Sequence, residues 1–396
     1  MTNGFAGRLL QRRENPRRTS FLELFFDLAS IFALTRLSRA LLDDVTVAGG
    51  IQTLIMLAAL WWVWFVTAWS ADWFDPRAPL IVVLLLWVMF GGLLMASAVP
   101  TAFDSHALVF AVAYVAIHLG RGALLLPALR GHPLQVRSAR VAIWFAISGV
   151  LWIVGAVVAP AREILWALAL LLEYALARLR WPLPWLGRST WPDLQVNGEH
   201  LSERYQQIFI IALGELILIA GVTYSDSGLD RESTLAFALA FVTAVALARL
   251  YLVPAGTRLG AAIVAAGPPG SKLALTAGYL HLVMIGGVLA TSVAMEMTID
   301  DPGIRDQGQL AVGVIGPALF LTARILLAAA VDSGLPWARL IGVPALIVAG
   351  LATWNLPQLV SSAVVAGVLL LIVLVDAMPI PWRVAERADA ASRQQG

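Results

Sequence analysis

Long apolar runs alternate with short polar segments along the whole chain. Twelve of these runs approach the length of roughly 20 residues that a helix needs to cross the hydrocarbon core of a bilayer. They lie at about 20–42, 50–70, 78–99, 106–128, 140–159, 161–178, 203–224, 233–253, 273–297, 308–331, 337–353 and 357–377. The pattern predicts an all-α polytopic membrane protein with about twelve transmembrane helices.

Charged residues in the polar segments give an orientation. Arginine and lysine concentrate in every second segment and in both chain ends, whereas aspartate dominates the alternate segments, where the basic residues are Arg162, Arg231 and Arg305. Basic residues accumulate on the cytosolic side of membrane proteins. An even number of spans and cytosolic N- and C-termini therefore support each other, and the arginine-rich N-terminus is interpreted as a cytosolic tail rather than a signal peptide.

Composition excludes several classes of protein. Of the 396 residues, 60% are hydrophobic and 13% are charged, with a mean hydropathy of +0.81, while soluble domains carry about a quarter charged residues. Cysteine is absent, which excludes disulfides, thiolate metal sites and cysteine nucleophiles. The chain contains no Walker loop, HExxH or GxSxG motif and no histidine pair four residues apart. We therefore expect no cofactor, metal site or nucleic-acid partner.

The chain also divides into two similar halves. VMFGGLLMAS, which starts at Val88, resembles VMIGGVLATS, which starts at Val283, and Glu23 and Arg121 match Glu203 and Arg324 in the other half. With six spans in each half, the repeats enter the membrane in the same direction and are parallel. The predicted organisation is a basic N-tail (1–19), a first six-helix repeat (20–179), a cytosolic linker (180–200), a second six-helix repeat (201–378) and a C-tail (379–396).

Two segments resemble a known family. ELFFDLASIFALTRLS, from Glu23, and ERYQQIFIIALGELILIAG, from Glu203, are similar to the two signature segments of the bacterial low temperature requirement A proteins. The tryptophan-rich second run, which ends in WFDP, extends the match. The resemblance implies a twelve-span protein of the bacterial inner (plasma) membrane and no particular activity. The chain departs from the family pattern at Arg36 and at Tyr205-Gln206-Gln207, which leaves the ligand or ion open.

Ionisable residues inside the predicted spans are candidates for function, because charge at membrane depth is costly unless it is paired or hydrated. Glu23 and Asp27 are four residues apart and share one helix face. Counted at 1.5 Å per residue from the flanking charges, five side chains fall in one layer about 12–14 Å from the cytosolic surface. This layer consists of Asp27, Arg121, Arg249, His281 and Arg324. Glu215 lies near the midplane, and at least two of the three arginines are expected to reach Glu23, Asp27 or Glu203.

The candidate substrate- or ion-binding residues are therefore Glu23, Asp27, Glu203, Glu215, Arg121, Arg249, Arg324, His281 and His118. Two further interpretations concern packing. The glycine pairs Gly91-Gly92 and Gly286-Gly287 are expected to let helices approach closely. The tryptophans of the second run, from Trp61 to Trp73, are expected to anchor that helix in lipid or at the interface.

Three functions remain open from the sequence. The first is a secondary transporter or channel for a small solute or ion that uses the buried charges. The second is a membrane-embedded enzyme that acts on a small lipophilic substrate, with Asp27, Glu215 and the arginines as acid, base and anion clamp. The third is a structural or assembly protein in which the charges only fix helix packing. The expected partners are the lipid bilayer and a small solute or ion, and a homo-oligomer is left open.

Overall fold

The computed structural model describes residues 7, 9, 10, 19–252, 255–331 and 337–378. The rest of the predicted N-tail and the whole predicted C-tail (379–396) lie outside the described residues. The described chain forms thirteen α-helices: α1 (Phe21–Asp43), α2 (Val47–Ala71), α3 (Pro79–Ala98), α4 (Ala107–Ala128), α5 (Leu134–Val157), α6 (Arg162–Arg178), α7 (Gly198–Asp226), α8 (Arg231–Leu252), α9 (Ala255–Ala265), α10 (Gly270–Asp300), α11 (Gln307–Ala330), α12 (Trp337–Ala352) and α13 (Gln358–Ala377). The all-helical prediction is confirmed for this part of the chain.

Each of the twelve predicted runs coincides with a helix, and the short helix α9 is an addition. Nine of the described helices are long and apolar enough to cross a membrane: α2 to α5, α7, α8, α10, α11 and α13. The other three predicted spans do not meet these limits of length and charge, for two different reasons. Helices α6 and α12 contain 17 and 16 residues, and α1 carries four charged side chains within its apolar run, Glu23, Asp27, Arg36 and Arg39.

Side-chain caps fix where two of the central helices begin. The Ser20 hydroxyl accepts from the Glu23 backbone N–H at 3.3 Å, and the Ser20 N–H donates to the Glu23 carboxylate at 2.8 Å. Asn197 caps α7 by accepting from the N–H groups of Glu199 and His200 at 3.1 and 3.2 Å. Each such cap contributes about 1 kcal/mol, and together they set the register in which the first turns of α1 and α7 meet.

Helices α1, α7 and α10 pack against one another and run parallel. Asp27 of α1 faces Arg204 of α7, and further along the two helices Ser38 of α1 faces Glu215 of α7. Along α10, Ala274 accepts from the Tyr205 hydroxyl near the amino end. Ser292 donates to Glu215 nearer the carboxyl end, so α10 runs in the same direction as α7. This contact region is called the central interface.

The remaining helices surround the central interface in two sets. In the first half α1 contacts α2 and α3, and the chain of contacts continues from α3 to α4, α5 and α6, which returns to α2. In the second half α7 contacts α8 and α10, and contacts continue from α10 to α11, α12 and α13, which returns to α8. Helix α9 packs on α7 and α10.

The expectation that the α2 tryptophans anchor the helix in lipid or at the interface is wrong for three of them. Trp61, Trp62 and Trp64 are buried. Trp62 stacks on Tyr174 of α6 with ring centroids 4.2 Å apart. Because α2 contacts α1, α6, α7 and α10, protein covers most of its circumference, and its aromatic rings form the core.

Candidate functional site

Two groups of polar side chains lie along the central interface. The amino-end cluster gathers near the first turns of α1 and α7 and consists of Glu23, Asp27, Trp64, Asp72, His200 and Arg204. The carboxyl-end cluster gathers further along the same helices and consists of Ser38, Arg39, Glu215, Ser292 and Glu296. Along α7, Arg204 and Glu215 are separated by about 16 Å at 1.5 Å per residue.

Asp27 forms the buried ion pair of the amino-end cluster. Its Oδ1 accepts from Nη2 of Arg204 at 2.7 Å and from Nε1 of Trp64 at 2.8 Å. Both charged side chains are buried. Within the described part of the chain, Oδ2 of Asp27 and both Nε and Nη1 of Arg204 have no hydrogen-bond partner. The pair therefore retains hydrogen-bond donors and an acceptor that can bind a water, an ion or a solute.

His200 links the two other carboxylates of the amino-end cluster. Its Nε2 lies 3.3 Å from Oε1 of Glu23, and its Nδ1 lies 3.0 Å from Oδ1 of Asp72. The other oxygen of Asp72 accepts from the Asn197 N–H at 2.6 Å. A protonated imidazole has a donor on each nitrogen, so His200 can join the start of α1 to the end of α2 across the first turn of α7.

Glu215 is the central group of the carboxyl-end cluster. Its Oε2 accepts a long hydrogen bond of 3.4 Å from the Ser292 hydroxyl, and Ser38 lies beside it on α1. In the described structure its Oε1 has no hydrogen-bond partner, although only 3% of the residue is exposed. Glu296 is close enough to repel Glu215 and is itself paired with Arg39, with 2.7 Å between Nη1 and Oε1.

An apolar cavity lies between the two clusters. It has a volume of about 60 Å³ and is bordered by α1, α2, α3, α7 and α10. Leu34, Val88, Ile208 and Ile285 line it, and Trp64 reaches it from the amino-end cluster. The central interface therefore offers polar groups at two levels, with apolar side chains between them.

The arginines expected to neutralise Asp27 lie elsewhere, and that part of the predicted layer is wrong. Arg324 donates to the backbone oxygens of Leu250 and Tyr251 at 3.0 and 3.2 Å, at the end of α8. Arg249 is exposed. Arg121 donates to the Thr67 hydroxyl at 2.6 Å inside the first half. Counting residues along each helix predicts a common depth for these side chains, but it does not give the direction in which each one turns.

Three other predicted site residues have local partners. His281 is held between the Ala277 carbonyl, 2.7 Å from Nδ1, and the Tyr251 hydroxyl, 2.9 Å from Nε2. Glu203 is half-buried and accepts from Gln207 at 3.4 Å. His118 stacks on Phe145 and contacts Arg121, away from the central interface.

Several residues of the two clusters were not predicted from the sequence. Arg204 stands next to Glu203 in the same segment, although only the carboxylate was predicted to belong to the site. The missed residues are Ser38, Arg39, Trp64, Asp72, His200, Arg204, Ser292 and Glu296. For Glu23 a signal was present, because Ser20-x-x-Glu23 has the spacing of a capping box, which places this carboxylate in the first turn of α1 rather than at membrane depth.

Comparison with known proteins adds a family relation. A family model described as "Bacterial low temperature requirement A protein (LtrA)" matches residues 18–374. An uncharacterized protein of Rhizobium meliloti (strain 1021) is 34% identical over 374 residues, which cover 92% of this chain and 90% of that protein. No solved structure matches.

Proposed function

The chain belongs to the bacterial low temperature requirement A family, and from this premise we propose that it is a secondary transporter or channel that moves a small solute or ion along the central interface. The observation that carries the proposal is Glu215, a buried carboxylate with one unpartnered oxygen in the described structure, opposite a second carboxylate and two hydroxyl groups. Ionisable groups at this depth in membrane helices mark ion and proton routes. The species favoured by such a set of oxygens is a proton or a small cation.

The proposal includes a twelve-span architecture of two parallel six-helix repeats in the inner membrane, with both termini in the cytosol. The order of helix contacts supports the duplication, because each half repeats the same sequence of neighbours from its first helix to its sixth. In this arrangement α1 and α7 are equivalent helices that meet at the pseudo-symmetry axis. Transporters built from internal repeats place their binding sites where the repeats meet.

The two clusters are given different roles. The Asp27–Arg204 pair closes the central interface near its amino end, since a solute passing there must replace the contact between the two side chains. Glu215 receives the ion between that pair and the opposite face. The apolar cavity separates the two clusters, so that no continuous column of water joins the Asp27–Arg204 pair to Glu215.

The test is ion flux in proteoliposomes. The purified protein is reconstituted with a dye inside that is sensitive to pH, to sodium or to potassium, and the gradient of the matching ion is imposed. Glu215→Gln keeps the shape of the side chain and removes its charge, so we expect wild-type folding. We also expect a loss of at least about tenfold in flux, since a positioned acid–base group typically contributes about 10²- to 10⁴-fold.

The matched control is Glu199→Gln, which removes an exposed carboxylate near the start of the same helix and should leave flux unchanged. Equal flux in wild type, Glu215→Gln and empty liposomes under every gradient would remove ion handling from the proposal. That result would move the enzyme function to first place.

A further inference from the structure

A second cavity lies mainly among the helices of the first half. It has a volume of about 100 Å³ and is bordered by α2, α4, α5, α6, the segment that follows α6 and Leu275 of α10. Seven tryptophan and phenylalanine side chains line it: Trp62, Phe65, Trp69, Phe74, Phe145, Trp181 and Trp191. This space is called the aromatic cavity.

Arg121 contributes a buried positive charge to the aromatic cavity. The residue is 5% exposed and donates to the Thr67 hydroxyl at 2.6 Å and to Nδ1 of His118 at 3.4 Å. Its Nε has no acceptor, and no carboxylate pairs with it, among the residues that the structure describes. A buried guanidinium without a counter-charge is costly in a membrane protein unless a ligand or water compensates it.

His118 adds a second donor without an acceptor. Because Nδ1 accepts from Arg121, a neutral ring carries its proton on Nε2, and this nitrogen has no partner in the described part of the chain. The ring is 2% exposed and is held flat against Phe145, with centroids 3.8 Å apart. Trp62, which also lines the cavity, has an Nε1–H without an acceptor there.

We propose that the aromatic cavity binds an organic monoanion, namely a carboxylate with an apolar body. The donors without acceptors suit the oxygens of an anion, and one uncompensated guanidinium matches one negative charge. The aromatic walls suit the apolar remainder of the molecule. A second arginine at the rim, Arg137, is already engaged, since it donates to the Asp193 carbonyl at 3.0 Å and lies over the Trp73 ring at 4.2 Å; this disfavours a doubly charged ligand.

Equilibrium binding of radiolabelled benzoate and decanoate to the purified full chain in detergent tests the proposal. We expect saturable binding of at least one acid, with no competition from neutral benzamide. Benzoate alone would identify a free aromatic acid as the ligand type, and decanoate alone would identify a fatty acid drawn from the membrane. Arg121→Gln should weaken binding at least about tenfold, which corresponds to about 1.4 kcal/mol.

Two variants separate charge recognition from folding. Arg305→Gln removes an exposed arginine of the second half and should bind like wild type. Ser138→Phe fills the cavity from α5 while leaving Arg121 and His118 in place, and should abolish binding even where Arg121→Gln gives no folded protein. Absence of saturable binding of both acids, or equal binding in wild type and either cavity variant, would overturn the proposal. Flux through the central interface is measured independently, so the two proposals fail separately.

Discussion

At the scale of single residues, the contact between Asp27 and Arg204 is the strongest constraint on how α1 meets α7. Desolvating two charges costs several kcal/mol for each ion, and their attraction offsets that cost only while both are present. The Trp64 indole shares the same carboxylate oxygen, so α2 depends on the pair as well. Removing one partner therefore leaves an uncompensated charge among three helices.

Single and double substitutions separate the energy of the interaction between Asp27 and Arg204 from the contribution of each side chain alone. We expect Asp27→Leu and Arg204→Met each to destabilise the fold by about 3–5 kcal/mol, because each leaves one buried charge without its partner. The double variant replaces both charges by apolar groups of similar volume and should recover at least half of the loss. The measurement is thermal unfolding in detergent, in which the fraction of protein that remains monodisperse is determined at each temperature.

Glu203→Leu serves as the control for that cycle, because this neighbouring carboxylate is half-buried and lacks an arginine partner among the described residues. Its melting temperature should stay close to that of wild type. If Arg204→Met alone is as stable as wild type, Asp27 is neutralised by some other group and the assigned pair is incorrect.

The residue scale is also where prediction from the sequence was weakest. The identities of the buried carboxylates Asp27 and Glu215 follow from their positions in apolar runs. Their partners do not, because counting residues along a helix gives depth, whereas contacts also require the rotation of each helix about its axis. Successive residues are turned by about 100° around a helix, so Arg204 faces α1 while its neighbour Glu203 does not.

At the scale of helices, α10 and α11 approach each other closely at Gly287. A Cβ atom added to Gly287 would lie 2.6 Å from the Gly316 carbonyl oxygen and 2.8 Å from the Phe320 nitrogen. Both are backbone atoms, so a side chain at this position would have to push the helices apart. Of the predicted glycine pairs, Gly92 makes no such approach, since a Cβ there would meet nothing within 4 Å.

Gly287→Ala and Gly92→Ala form a matched pair of substitutions. In a helix interior alanine is favoured over glycine by about 1 kcal/mol, so Gly92→Ala should leave the melting temperature unchanged or raise it. Gly287→Ala should lower it, because separating two packed helices costs typically 1–3 kcal/mol. Equal melting temperatures for the two variants would show that α10 and α11 pack less closely than the structure has them.

Helix positions were predictable because apolar runs of this length have few other solutions in a membrane. All twelve runs form helices, with ends displaced by several residues at α5, α7 and α10, which extend past the apolar run into polar residues. The short helix α9 was missed since its 11 residues, AGTRLGAAIVA, fall well below the length of a span. It packs on α7 and α10 instead, in the connection between α8 and α10.

At the scale of the whole molecule, the number of crossings decides how the two halves relate. With six crossings in each half the proposed repeats are parallel, and α1 and α7 enter the membrane from the same side. If α6 or α12 failed to cross, the loops on either side of it would lie on the same face of the membrane. The chain offers a direct test because it contains no cysteine, so single cysteines can be introduced without any background.

Four exposed positions distinguish the alternatives when they are labelled in intact cells with a membrane-impermeant maleimide. Twelve crossings predict labelling of Ser105→Cys, Gly303→Cys and Asn355→Cys from outside, while Thr190→Cys reacts only after the cells are opened. If α6 does not cross, Ser105→Cys and Thr190→Cys will behave alike, since only α4 and α5 then separate them. If α12 does not cross, Gly303→Cys and Asn355→Cys will behave oppositely, since only α11 then separates them. Because the seventeen and sixteen residues of α6 and α12 are near the lower limit of about 17 residues for a span, these two comparisons are the critical ones for the twelve-span architecture, and either failure would reject it.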